Sequence, residues 1–211
     1  MTIARRLVVY GAGGHGRVVA EAASDMGAEV LGFLDDNVPL GTQIGPSRVL
    51  GGGGWLDGRL DVTVVPGIGD NFARQRLVEA LQARGVGLAI VVHPRAVVSR
   101  SATLGPGSVV LALAVINAGA RIGRAAIVNT ASVVEHDVEL GDFAHVSPNA
   151  TLGGSARLGD RTHLGLGACV LPGITVGARS VVGAGAVVTR EVPDGEVVAG
   201  VPAQRIRMQT A

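Results

Sequence analysis

Two histidines, His136 and His145, stand nine residues apart in SVVEHDVELGDFAHVSP, with Glu135 and Asp137 flanking the first. A carboxylate on one imidazole nitrogen fixes the tautomer and raises basicity at the other, which is the environment of a general base. A third histidine, His163, follows His145 by eighteen residues, a ladder that fits packing as well as chemistry. Near the start of the chain Gly11, Gly13 and Gly16 fit G-x-G-x-x-G, with Asp35 and Asp36 close to the expected distance beyond. Such a loop turns backbone N–H groups and a helix N-terminus toward phosphate, and His15 inside it suits a diphosphate neighbour.

These residues must be positioned by something, and in the C-terminal half it is a repeat. Stepping by six from Val92 to Val188, all 17 positions are Val, Leu or Ile. Four residues after each stands a small or aliphatic side chain, such as Ala114, Ala126, Ala144 or Ala168. Gly105, Gly123, Gly141, Gly159 and Gly177 follow the aliphatic residue directly, and Pro94, Pro106, Pro148 and Pro172 come two after it; both read as turn residues at fixed phase. Each hexad is thus a short strand and a corner, the pattern of a parallel β-helix whose stacked coils bury one continuous core. It resembles the left-handed hexapeptide-repeat β-helix of acyltransferases, and the resemblance implies three hexads per coil.

The outward residues then sort into three columns. Column one is Val97, Val115, Val133, Thr151, Cys169 and Val187; column two is Thr103, Arg121, Glu139, Arg157, Thr175 and Pro193; column three is Val109, Ile127, His145, His163 and Val181. Of these, column two alone has the makeup of a solvated face. Two unlike apolar faces on one prism predict cyclic closure, a homotrimer in which face one of one subunit meets face three of the next. Nine residues is half a coil, so His136 and His145 of one chain cannot share a metal. His136 occupies a corner beside face one, and the cleft between subunits becomes the candidate site.

Residues 1–91 read as a βαβαβ Rossmann-like half-domain, and residues 92–211 as the β-helix with a C-terminal tail. RRLVVYG and GAEVLGFLDD are strands around a first helix, DVTVVPGIGD a third strand, and NFARQRLVEALQARG a further helix; the GGGG at 51–54 reads as a flexible loop. Half of a dinucleotide fold favours a mononucleotide over NAD. Asn117 and Asn129 occupy corners equivalent to that of His136, as turn caps or substrate contacts. Cys169 in the apolar column reads as packing rather than a nucleophile, and His93 at the junction as structural.

Composition narrows the partners. With 18 Lys+Arg against 17 Asp+Glu and 2% aromatics, nothing suggests a nucleic-acid footprint. The apolar runs are short and broken by glycine, which argues against a membrane partner. One cysteine permits no intramolecular disulfide framework, and MTIARRLVVYGAGG lacks a signal-peptide cleavage pattern, so a cytoplasmic location is expected.

Taken in order, YGAGGHG, FLDD, NTASVVEHDVELGDFAHVSP, LGLGACVLPG, VVGAGAVV and AGVPAQRI resemble, over nearly the whole chain, the bacterial nucleotide-amino-sugar N-acetyltransferases, relatives of the sialic acid O-acetyltransferase-like proteins. The resemblance implies a homotrimer, without metal, that moves acetyl from acetyl-CoA to the amine of a UDP- or GDP-linked deoxysugar. It makes His136 the base and Asp137 the acid that strengthens it. His145, Leu166 and Ala184 would line the acetyl-CoA channel, and Gly13, Gly14, His15, Asp35, Asp36 and Gly69 would hold the nucleotide sugar. Competing readings are O-acetylation of a sugar by the same base, and a non-catalytic trimeric nucleotide-binding scaffold.

Overall fold

The computed structural model describes residues 6–59 and 61–209. In its first part, the apolar run RLVVY forms β1 (Arg6–Tyr10), followed by α1 (Gly14–Asp25), β2 (Glu29–Leu34), β3 (Gln43–Ile44), β4 (Ser47–Gly51), β5 (Thr63–Pro66) and α2 (Asn71–Ala83). The sheet order is β3-β4-β2-β1-β5, parallel apart from the β3–β4 hairpin. Leu7, Val8 and Val9 are fully buried, as central parallel strands require. The β3–β4 hairpin is an addition to the simple βαβαβ pattern. The tetraglycine is not a flexible loop: Gly51 ends β4 and Gly53–Leu56 forms a 3₁₀ turn. It is pinned where the Gly53 N–H donates to Asp36 Oδ1 at 3.0 Å.

From Val91–Val92 to Val187–Val188 the chain is a parallel β-helix of two-residue strands on three faces. Each strand pairs with the one eighteen residues away, as Val97 with Val115 and Val115 with Val133, so the three outward columns are the three faces. The inward aliphatics, Ile116, Val134, Leu152 and Val170 among them, stack into one core with the small residues Ala114, Ala150 and Ala168. The last coil is shorter. Val181 pairs with Val197 and Val176 with Val192, sixteen residues apart, so Pro193 does not extend column two. An antiparallel pair, Glu196–Ala199 with Gln204–Met208, ends the stack.

The corners turn by a different device from the one the glycine pattern suggests. Every sixth residue from Gly107 to Gly185 has positive φ, including Leu113, Ala125, Asp137, Phe143 and Arg161. Gly123 and Gly141 are not among them; a Cβ on Gly123 would come within 2.5 Å of the Gly141 main chain. These glycines serve close stacking of coil on coil, and the left-handed turn falls two residues later.

The faces differ in what covers them. Column two carries an exposed ladder in which Arg121 and Arg157 both pair with Glu139. Column one is partly open, with Val97 64% exposed. Column three corrects the picture of two free apolar faces, because Val109 and Ile127 are at most 1% exposed and His145 only 8%. The chain's own first domain covers them: Val91, Val109 and Leu111 join the core formed by Leu7, Val9, Val19 and Ala23.

Arg74 of α2 locks this joint. It is completely buried. Its Nε donates to Ala125 O at 2.8 Å, Nη1 to the carbonyls of Ile68 (2.9 Å) and Gly69 (3.0 Å), and Nη2 to Phe143 O and Asn71 Oδ1, both at 2.7 Å. Asn71 Nδ2 in turn donates to Arg161 O at 2.9 Å. At the other end of the joint, His93 Nδ1 accepts from the Arg95 N–H at 3.0 Å, which leaves Nε2–H to meet Asp25 at 3.2 Å.

Candidate active site

The glycine turn, the two aspartates and the loop after β5 form one cleft of about 330 Å³. Gly13, Gly14, His15, Asp35, Asp36 and Gly69 all line it. The turn is built by close main-chain contact: a Cβ on Gly16 would lie 1.9 Å from Gly11 O, and one on Gly67 would lie 2.8 Å from Gly16 Cα. Gly13 caps α1 without a side-chain hydrogen bond, and the first turn holds no acidic residue, so this end suits an anion.

Both aspartates are already engaged by the protein. Asp35 accepts from the N–H groups of Ala12 and Asn37, each at 2.9 Å, while Asp36 accepts from the Tyr10 hydroxyl at 2.7 Å and from Gly53 N–H. Their first task is to brace the turn and the tetraglycine segment. Each oxygen still has a lone pair left for a ribose or base donor. Burial, and then the Asp36 carboxylate, push the Tyr10 phenol up, so it stays a hydrogen-bond donor.

Behind the cleft lies a row of three imidazoles. His15 and His145 are tilted with centroids 6.2 Å apart, and His145 stacks on His163 at 4.8 Å and 2°. Thr130 N–H donates to Asn129 Oδ1 at 2.8 Å, which turns Asn129 Nδ2 toward His145 Nε2 at 3.0 Å. Nε2 therefore accepts, and the proton sits on Nδ1, turned to the Gly69 carbonyl without closing a full hydrogen bond. Burial is the main cause that lowers His145 to about 3, aided by His163 and Arg74. Burial and then Arg74 lower His15 to about 4, and the same two causes lower His163. All three are neutral near pH 7, and His15 Nε2 has no hydrogen-bond partner among the described residues.

His136 has opposite surroundings. Its side chain is 61% exposed, and Nδ1 lies 3.0 Å from Asp137 Oδ2. Glu135 is engaged instead with the His136 backbone N–H, at 3.3 Å. Asp137 has φ of 59°, and in this left-handed corner its carboxylate meets the preceding ring. Nδ1–H donates to the carboxylate and Nε2 is left to accept a proton. The site residues do not all converge within one chain. His136 sits at the corner between faces one and two, opposite face three, where the nucleotide-type cleft is docked. Leu166 and Ala184 are exposed and stacked, with Gly185 N–H donating to Leu166 O at 2.8 Å, at the corner toward which Asn129 turns His145.

The sequence reading missed Arg74, which orders the Gly69 loop. The available signal was the stripe Asn71, Arg74, Val78, Leu81, which places an arginine on the buried face of α2. Among the described residues, no three His, Cys, Asp or Glu side chains come together as a metal site, and no helix is long and apolar enough to cross a membrane.

Known proteins share both halves. Residues 6–81 match the family described as PglD N-terminal domain, and residues 155–190 match the hexapeptide repeat of succinyl-transferase. A histidine-to-asparagine mutant of perosamine N-acetyltransferase from Caulobacter crescentus, solved with CoA and GDP-perosamine, is 38% identical with a TM-score of 0.91; the match covers 96% of this chain and 97% of that one. The acetyltransferase domain of PglB from Neisseria gonorrhoeae FA1090, in complex with acetyl coenzyme A, is 40% identical with a TM-score of 0.90, over 96% of this chain and 99% of that one. The UDP-N-acetylbacillosamine N-acetyltransferase of Bacillus subtilis (strain 168) is 38% identical over 122 residues, and this match spans about half of each protein, 51% of this chain and 52% of the relative. With its Rossmann-like domain docked on a left-handed hexapeptide β-helix, and with full-length similarity to such enzymes, the chain belongs to the bacterial nucleotide-amino-sugar N-acetyltransferases.

Proposed function

We propose that this protein transfers acetyl from acetyl-CoA to the amino group of a nucleotide-linked amino-deoxysugar, with His136 as general base. The observation that carries the reading is the His136–Asp137 pair, 3.0 Å apart at an exposed corner, with Nε2 making no hydrogen bond among the described residues. A sugar ammonium must lose a proton before its nitrogen can attack a thioester, and an imidazole held by a carboxylate is suited to take it. Acetyl-CoA supplies an acyl group already activated as a thioester, so the chain's work is alignment and proton removal. Leu166 and Ala184 offer exposed apolar side chains beside the His145 corner for the pantetheine arm. Gly13, Gly14 and His15 would take the diphosphate at the uncapped end of α1, with Asp35, Asp36 and Gly69 toward the nucleoside and sugar.

The site is shared between subunits of a homotrimer. The cleft rests on face three of its own chain while His136 projects from the opposite corner, so another copy must bring the base to the sugar. Face one, with Val97 64% exposed, is the surface left for that contact. Because face three is largely covered within the chain, the neighbour meets the domain joint and the lower coils rather than a bare face. The relatives differ in nucleotide, GDP in one and UDP in another, and either fits carboxylates that only accept.

Replacing His136 by Ala should lower kcat by roughly 10²- to 10⁴-fold while acetyl-CoA binding, measured by calorimetry, stays within about twofold. Full activity in that variant would reject His136 as base. Offering amine and hydroxyl forms of one nucleotide sugar to the wild type separates N- from O-transfer, and a protein that fails to bind acetyl-CoA at all would be a scaffold.

A further inference from the structure

We infer that Gly154 is a positioning residue for the reaction, acting as the seat of the His136 imidazole; this rests on His136 being the base. His136 and Asp137 are both well exposed, with side chains 61% and 66% accessible. A hydrogen bond between two such side chains contributes little by itself in water, so it alone would not hold the ring in one place. The coil below supplies the rest. Gly154 lies eighteen residues after His136, one coil along the stack, and Ser155 N–H donates to His136 O at 2.8 Å beside it. A Cβ built on Gly154 would stand 2.5 Å from His136 Nε2, 2.6 Å from Cε1 and 3.1 Å from Cδ2. The Nε2 edge of the ring thus fills the space that any side chain at 154 would take.

The coil above treats the carboxylate in the same way. Asp137 N–H donates to Ala118 O at 2.9 Å, and a Cβ on Gly119 would stand 2.5 Å from Asp137 Oδ1. The acid and the base are therefore each set against a residue with no side chain, one coil to either side. Gly119 has φ of 73°, which explains its glycine without reference to Asp137. Gly154 is not among the glycines of positive φ, so its backbone accepts alanine, and the atoms nearest the missing Cβ all belong to His136. What glycine provides at 154 is room for the imidazole.

The smallest test is Gly154→Ala. Ordinary carbon–nitrogen contact is about 3.5 Å, so a methyl group drives Nε2 away by about 1 Å. General-base transfer needs the acceptor within about 2.6–3.2 Å of the proton's heavy atom, and a displacement of that size costs about 10- to 100-fold in turnover. The expected result is a fall in kcat of that order, with acetyl-CoA affinity, nucleotide-sugar KM and melting temperature close to wild type. In ¹⁵N-histidine NMR spectra at fixed pH the His136 ring-nitrogen resonances should move as the bond to Asp137 loosens.

A double-mutant cycle decides the route. If Gly154 acts through the imidazole, adding Gly154→Ala to His136→Ala lowers the residual rate no further. Wild-type turnover in Gly154→Ala, or an additive loss in the double variant, overturns the inference and leaves the base assignment standing. His136→Ala with wild-type activity fails the base assignment itself, and that single variant reads it separately.

Discussion

Arg74→Met tests the joint between the two domains. The substitution keeps most of the aliphatic stem and removes five hydrogen bonds, to Ala125, Ile68, Gly69, Phe143 and Asn71. Bonds from a charged donor contribute about 1.5–3 kcal/mol each, and part of that offsets the cost of burying a guanidinium with no carboxylate bonded to it. Burial lowers Arg74 to about 9, which still leaves it charged near neutral pH. Four main-chain carbonyls would lose their arginine donor, so a net loss of about 3–5 kcal/mol is expected, a large share of the roughly 5–15 kcal/mol that stabilises a domain. The sole tryptophan, Trp55, lies in the first domain, so its fluorescence follows that domain, while the β-sheet band of the infrared amide I region follows mainly the β-helix. In urea the wild type should unfold in coincident transitions, and the variant should lose the tryptophan signal first, with weakened nucleotide-sugar binding. A variant within about 1 kcal/mol of wild type, with the transitions still together, would refute the clamp.

Two further predictions stand beside the His136 and Gly154 substitutions. His15 and His145 are held neutral, at about 4 and about 3 against an ordinary 6.5, so the unfolded chain binds their protons first. Stability is full above about pH 6.5 and is lost as pH falls toward those values, by about 1–2 kcal/mol per histidine at pH 5; urea midpoints at pH 7.5 and 5 measure it, and His145→Asn should flatten the slope. Gly16→Ala would press a methyl group against Gly11 O, a main-chain atom that cannot swing aside. The turn must open, at about 1–3 kcal/mol, and a thermal-shift titration with nucleotide sugar should show at least tenfold weaker binding while acetyl-CoA binding is kept.

The six-residue period was legible because Val, Leu or Ile recurs at every sixth position, whereas the eighteen-residue register rested on the resemblance that implies three hexads per coil, and Val97, Val115 and Val133 stack in that register. The positive-φ corners were not legible, because Leu113, Phe143 and Arg161 give no local sign of a left-handed turn; stacking of the coils imposes it. A repeat also says which side chains point outward and nothing about what covers them, so His145 could be placed on a face but not under the glycine turn. The nucleotide-type cleft was readable from its glycines and paired aspartates. The bracing roles of those aspartates depend on Tyr10 and Gly53, partners brought close only by the fold.

In the proposed trimer, placing the imidazole on the edge opposite the cleft would make each polypeptide a carrier of two unmatched halves. A lesion in one half spoils a different centre from a lesion in the other, so two defective chains assembled together can still pool one intact centre. Dilution would silence such a protein without unfolding it.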